Sequence, residues 1–109
     1  MSHVMSKDAL DRLAATIRAR RTAASDTSYT RQLLDDPIKS AKKVGEEGVE
    51  VAIAATAQDR HALISESADL LYHFLVLLES RDVGFDEVCE ALEQRMGTSG
   101  LARQKGPAD

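Results

Sequence analysis

The sequence contains one cysteine, two prolines, no tryptophan and only 4% aromatic residues. The lone thiol, Cys89, excludes an internal disulfide framework and reads as a small apolar residue. So few prolines, together with many Ala, Leu, Glu and Arg residues, favour helix over strand. There is no basic surplus either. The formal net charge is −4, which argues against a nucleic-acid binder that tracks phosphates with a basic face. One phosphorylated small molecule remains compatible with that charge, because a metal or a few lysines supply positive charge locally. The longest apolar run, Leu70–Leu78 with His73 inside it, is too short to span a bilayer. The opening MSHVMSKDALDR lacks the apolar core of a signal peptide. The expectation is a cytoplasmic protein without a membrane partner.

The chain's 109 residues suit a single domain over 1–109. A chain this short buries a limited share of its surface, which makes a homo-oligomer plausible. Ser6 can cap a helix over about 7–21, with Leu10, Leu13, Ala14 and Ile17 forming its apolar stripe. Residues 22–30 (TAASDTSYT) read as a loop, and a short helical turn follows over Arg31–Leu34. Asp36-Pro37 is a helix start signal, Asp as cap and Pro at the first helical position, for a helix from Pro37 to about Ala57. Asp59 can cap the next, over about Arg60–Ser80. Gly84 breaks the pattern, and a last helix covers about Phe85–Met96, with Gly97 placed to stop it. The tail, 98–109, is expected to be irregular. No strand alternation is present, so the fold class is all-α, a bundle of four to five helices.

The chemistry lies in the two long helices. On a helix, Glu46, Glu47 and Glu50 share an arc of roughly 100°, with Lys39 and Lys43 on the same arc. Gly45 and Gly48 interrupt this helix at a cost of about 1 kcal/mol each, which a close helix–helix contact would explain. Lys39, Lys43 and Glu47 suit a solvated face of i,i+4 pairs. Around Glu50, however, Val49, Val51, Ala52, Ile53, Ala54 and Ala55 are apolar. A helix apolar all round is expected to be buried, and a buried carboxylate needs compensation such as a cation. The next helix repeats the feature, with Glu66 and Asp69 pointing to one side and His73 one turn beyond among apolar residues. If the two helices form an antiparallel hairpin about Gln58–Asp59, the acids meet at nearly equal depth. Converging carboxylates repel one another. A hard divalent cation removes that repulsion, and Mg²⁺ binds through carboxylates, retained waters and substrate phosphates.

Glu47-x-x-Glu50 followed after fifteen residues by Glu66-x-x-Asp69 resembles the ExxE…ExxD signature of the all-α, MazG-like nucleotide pyrophosphohydrolases. KKVGEEGVE (42–50), ESADLLYHFLVLL (66–78), SYTRQLL (28–34) and GTSGL (97–101) resemble the phosphoribosyl-ATP pyrophosphatase family in particular, over about residues 10–101. That resemblance implies a dimeric helical fold. It also implies Mg²⁺ as cofactor (Mn²⁺ as a possible substitute) and hydrolysis of phosphoribosyl-ATP to phosphoribosyl-AMP and pyrophosphate, the second step of histidine biosynthesis. It makes Glu47, Glu50, Glu66 and Asp69 the metal ligands, with Glu46 adjacent and able to bind metal or orient a water. Glu47 or Glu50 would activate the attacking water. Lys43, Lys42, Tyr29 and Ser28 are the candidate substrate contacts. Lys43 has an equal claim as a pairing partner of Glu47, and Tyr29 as a loop anchor. His73 reads as a hydrogen-bonded core residue. Gly48 stands where the family pattern has Ala. Residues 102–104 depart from a more acidic pattern and carry no function here. Two other readings compete: a MazG-like house-cleaning hydrolase of nucleoside triphosphates, and a non-catalytic helical dimerisation module with solvated acids.

Overall fold

A computed structural model describes residues 2–23 and 28–97, with side chains from residue 8 onward. The described residues form five helices and no strand: α1 (Ser2–Arg21), α2 (Tyr29–Leu34), α3 (Pro37–Ala57), α4 (Arg60–Ser80) and α5 (Phe85–Gly97). The expected irregular tail over 98–109 lies outside the described residues.

The caps explain most of the boundaries. Asp36 accepts from the Lys39 amide, and Pro37 occupies the first turn of α3. Asp59 accepts from the Ala62 amide and starts α4. Only Gln58 and Asp59 separate the two long helices, so they fold back as a hairpin, and this is the most extensive helix–helix contact of the fold. Two boundaries differ from the sequence reading. Helix α1 begins at Ser2, so Ser6 is not its cap. Helix α2 begins at Tyr29, inside the expected loop, because the Ser28 hydroxyl accepts from the Arg31 amide as an N-cap.

The core is small. Ile17 of α1, Leu33 and Leu34 of α2, and Leu75 and Val76 of α4 are buried together, with Leu10, Leu13, Tyr72, Leu78 and Phe85 packed against them. Helix α4 is therefore the central element: α1, α2 and α3 all lean on it. It is long and apolar enough by composition to cross a membrane, yet its turns carry Glu66, Asp69, His73 and Glu79 and its neighbours are protein. Ser40, also buried, donates its hydroxyl to the Leu33 carbonyl at 2.8 Å and ties α3 to α2.

The end of α4 is held electrostatically. Glu79 is buried and receives Arg21 at 2.7 Å and Arg18 at 3.4 Å, both from α1. Arg21 also reaches Asp82 at 2.6 Å. These bonds hold the Arg21 guanidinium above its ordinary pKa, the Glu79 hydrogen bond contributing most. Asp82 adopts φ 60°. Its amide donates to the Glu79 carbonyl and the Val83 amide to the Leu78 carbonyl, the bond pair of a Schellman cap. The left-handed residue that stops α4 is thus Asp82, two positions before Gly84.

Candidate metal and substrate site

The two acidic segments meet across the hairpin. One carboxylate oxygen from each of Glu47, Glu66 and Asp69 lies within 4.8 Å of the others. Two oxygens bonded to one Mg²⁺ at about 2.0–2.1 Å sit no more than about 4.2 Å apart. Side-chain movements of less than about 1 Å therefore close the three onto one ion. The donor set suits the metal as well, being all carboxylate oxygen, with Asp69 exposed on one side.

The electrostatics show what bringing these groups together costs. The Glu66 carboxyl is pushed above its ordinary pKa first by partial desolvation, then by Glu50, Asp69 and Glu47. The influence of Glu50 places it beside the cluster, although it is not one of the three that converge most tightly. Helix geometry supplies this arrangement: Glu47 and Glu50 are three apart on α3, as are Glu66 and Asp69 on α4.

The burial expected around Glu50 is not found in the single chain. Glu50 is exposed, and the flanking Val49 and Ile53 are 59% and 46% exposed. The reason is architectural: among the described residues α3 packs chiefly against α4 and α2, and just Ser40 and Ala54 of this helix are buried. Nor do Gly45 and Gly48 mark a close approach within the chain, since a Cβ added at either would meet nothing within 4 Å.

The candidate substrate contacts separate into two groups. Lys43 belongs to the site: its Nζ lies 3.6 Å from both Glu46 and Glu47. Its ammonium is held above the ordinary lysine pKa, most strongly by Tyr29, with Glu46 and Glu47 adding to the effect against some desolvation. Tyr29, on α2, packs against His73 and Tyr72 of α4. Glu46 pairs with Lys43 and is not among the three converging acids. Ser28 is engaged as the cap of α2. Lys42 is exposed and makes no ion pair among the described residues.

His73 is buried, as expected, but its bonding pattern was not legible in the sequence. Its Nδ1 lies 2.8 Å from the carbonyl oxygen of Asp69, and its Nε2 lies 3.1 Å from the Tyr29 hydroxyl. The signal available was the spacing of four from Asp69 to His73, but only the position of α2 supplies the second bond.

Comparison with known proteins identifies the family to which this fold belongs. The family model described as phosphoribosyl-ATP pyrophosphohydrolase matches residues 10–96. A phosphoribosyl-ATP pyrophosphatase of Caulobacter vibrioides is 54% identical over 101 residues, covering 93% of this chain and 94% of its own length. Another from a Caulobacter species is 56% identical, covering 92% of this chain and 95% of its own length. A third, from Cereibacter sphaeroides, is 53% identical over 98 residues, covering 89% of this chain and 95% of its own length. Matches of this identity run the length of the hairpin and of the helices that brace it, and so the chain belongs to the phosphoribosyl-ATP pyrophosphohydrolase family.

Proposed function

We propose that the protein hydrolyses phosphoribosyl-ATP to phosphoribosyl-AMP and pyrophosphate, the second step of histidine biosynthesis, in the cytoplasm. The observation that carries this reading is the convergence of Glu47, Glu66 and Asp69 from two helices within 4.8 Å, in a chain that belongs to this family. Mg²⁺ is the cofactor we assign, with Mn²⁺ as a substitute. Glu47, Glu66 and Asp69 hold it, and Glu50 is the fourth carboxylate beside them. When bound, the ion neutralises charge on the phosphate oxygens and lowers the cost of expelling pyrophosphate.

The chain's own residues do the rest. Glu50 lies beside the three converging carboxylates without being one of them, and so is placed to orient the attacking water and take its proton. Lys43 brings a positive charge to the rim, where the phosphate chain of the substrate enters. Glu46, 3.6 Å from Lys43, supports that lysine rather than the metal. Repulsion among the carboxylates is relieved when the cation binds, so part of the folding cost of the site returns as metal affinity.

The protein acts as a homodimer in this reading. Ile38, Val49, Ile53, Ile64 and Leu71 are large apolar residues left exposed on the hairpin of a single chain, and a second copy is the partner that would cover them.

The test is turnover of phosphoribosyl-ATP measured beside a panel of ordinary nucleoside triphosphates, with and without Mg²⁺. Metal-dependent release of pyrophosphate from phosphoribosyl-ATP alone supports the assignment. Equal rates on ordinary triphosphates would favour a house-cleaning hydrolase. No turnover together with no calorimetric heat on adding Mg²⁺ would favour a helical dimerisation module.

A further inference from the structure

A cavity of about 360 Å³ lies between α1, the end of α4 and the start of α5, away from the acids of the hairpin. Glu79, which lines it, is ten residues beyond Asp69 on α4, about 15 Å along the helix axis. Its volume sits at the lower end of ligand pockets, about 300–1,000 Å³, and suits one small molecule. The floor is apolar: Leu75 is 3% exposed, and Leu78 and Phe85 pack against the same core. The small side chains of Ala14 and Ala15 on α1 leave the space unfilled.

Charges of both signs surround that floor. Asp11, Arg18 and Asp86 line the cavity and are all exposed. Asp11 and Arg18 are seven apart on α1, two turns, and so share a face. The Asp11 and Asp86 carboxylates make no hydrogen bond or ion pair among the described residues. Arg18 spends only its Nε, 3.4 Å from Glu79, and its two terminal nitrogens have no partner among the described residues. Glu79 is held more closely by Arg21, at 2.7 Å. Unpaired acids on a helix surface point to nothing by themselves; these stand at the mouth of an apolar cavity, together with an unpaired guanidinium fork. That fork matches a carboxylate, and the free acids match an ammonium. A ligand of one charge answers half of the rim; a zwitterion answers all of it.

We propose that this cavity is a second binding site, for a free α-amino acid with an apolar ring side chain. The ring lies on Leu75, Leu78 and Phe85, the carboxylate takes the terminal nitrogens of Arg18, and the ammonium faces Asp11 and Asp86. The site is separate from the hairpin acids and does not depend on the reaction assigned to them.

The experiment uses the full chain without added metal and reads affinities by calorimetry. The probes are L-phenylalanine, phenethylamine, which lacks the carboxylate, and 3-phenylpropionate, which lacks the ammonium. Each of the last two should bind about tenfold more weakly than L-phenylalanine, the worth of one charge-assisted hydrogen bond. Arg18→Gln should weaken L-phenylalanine by about tenfold and leave phenethylamine unchanged. Asp11→Asn combined with Asp86→Asn should weaken L-phenylalanine to the same extent and leave 3-phenylpropionate unchanged. Ala15→Leu, which fills the space, should abolish binding of all three. These positions are exposed, so the melting temperature should move little. If Ala15→Leu fails to fold, the charge variants and the probe pairs decide. No binding of L-phenylalanine by the wild type at about 10 mM would overturn the proposal. So would equal affinity for the three probes, a loss in Arg18→Gln that extends to phenethylamine, or full binding in folded Ala15→Leu. Binding that vanishes as the protein is concentrated would give the cavity to a second copy of the chain and would overturn the proposal as well.

Discussion

The acidic residues divide by role according to where each carboxylate sits. Glu50→Gln and Asp69→Asn should each lower turnover by about 100-fold or more, since even indirect supports of a metal site are worth about 10–100-fold. Glu46→Gln should cost much less, because Glu46 pairs with Lys43 and not with the converging acids. Steady-state kinetics at saturating Mg²⁺ distinguishes these outcomes. Glu66 gives a pH prediction. Its folded-state pKa is raised, by desolvation first and by its acidic neighbours second. Whatever stability its protonated form contributes is present below its unfolded pKa and lost as pH rises through the folded value. The metal-free protein should therefore melt at a lower temperature at neutral pH than just above the ordinary carboxylate range, as far as this residue governs it. Glu66→Gln should raise the metal-free melting temperature at pH 7 and flatten that dependence, while abolishing the stabilisation by Mg²⁺. Scanning calorimetry of both proteins across pH is the check; a melting temperature lowered by Glu66→Gln at pH 7 would contradict it.

At the scale of elements, α2 is the least conspicuous helix and the most consequential brace. It has six residues, yet it places Leu33 in the core and Tyr29 against His73. Leu33→Ala should cost about 3 kcal/mol, the range for emptying a fully buried leucine site, with denaturant unfolding as the measure. The sequence made α3 and α4 legible to the residue, because Asp36-Pro37 and Asp59 are strong local signals that nothing distant contradicts. Helix α2 was read too short because its start depends on one serine hydroxyl. The stop of α4 at Ser80 was read correctly, but its left-handed capping residue is Asp82, where a glycine is the usual signal. Asp82 and Glu79 share Arg21, so Arg21→Ala should lower the melting temperature, and by less at high salt. A salt-independent loss would point to packing of the arginine stem instead.

For the whole molecule, the meeting of Glu47 with Glu66 and Asp69 across a hairpin was readable from spacing, since only two residues separate α3 from α4. Their exposure was not readable, because apolar neighbours in sequence say nothing of which face finds a partner in space. Val49, Ile53 and Ile64 remain uncovered in one chain, so the proposed homodimer should appear in sedimentation at micromolar concentration, and Ile53→Asp should shift it toward monomer. A monomeric wild type at those concentrations would remove that part of the account. The central claim is that both helices of the hairpin grip one divalent ion, and anomalous diffraction from crystals soaked in Mn²⁺ tests it most directly. The account predicts a peak touching Glu47 of α3 together with Glu66 and Asp69 of α4; a peak elsewhere, or none at millimolar Mn²⁺, would contradict it.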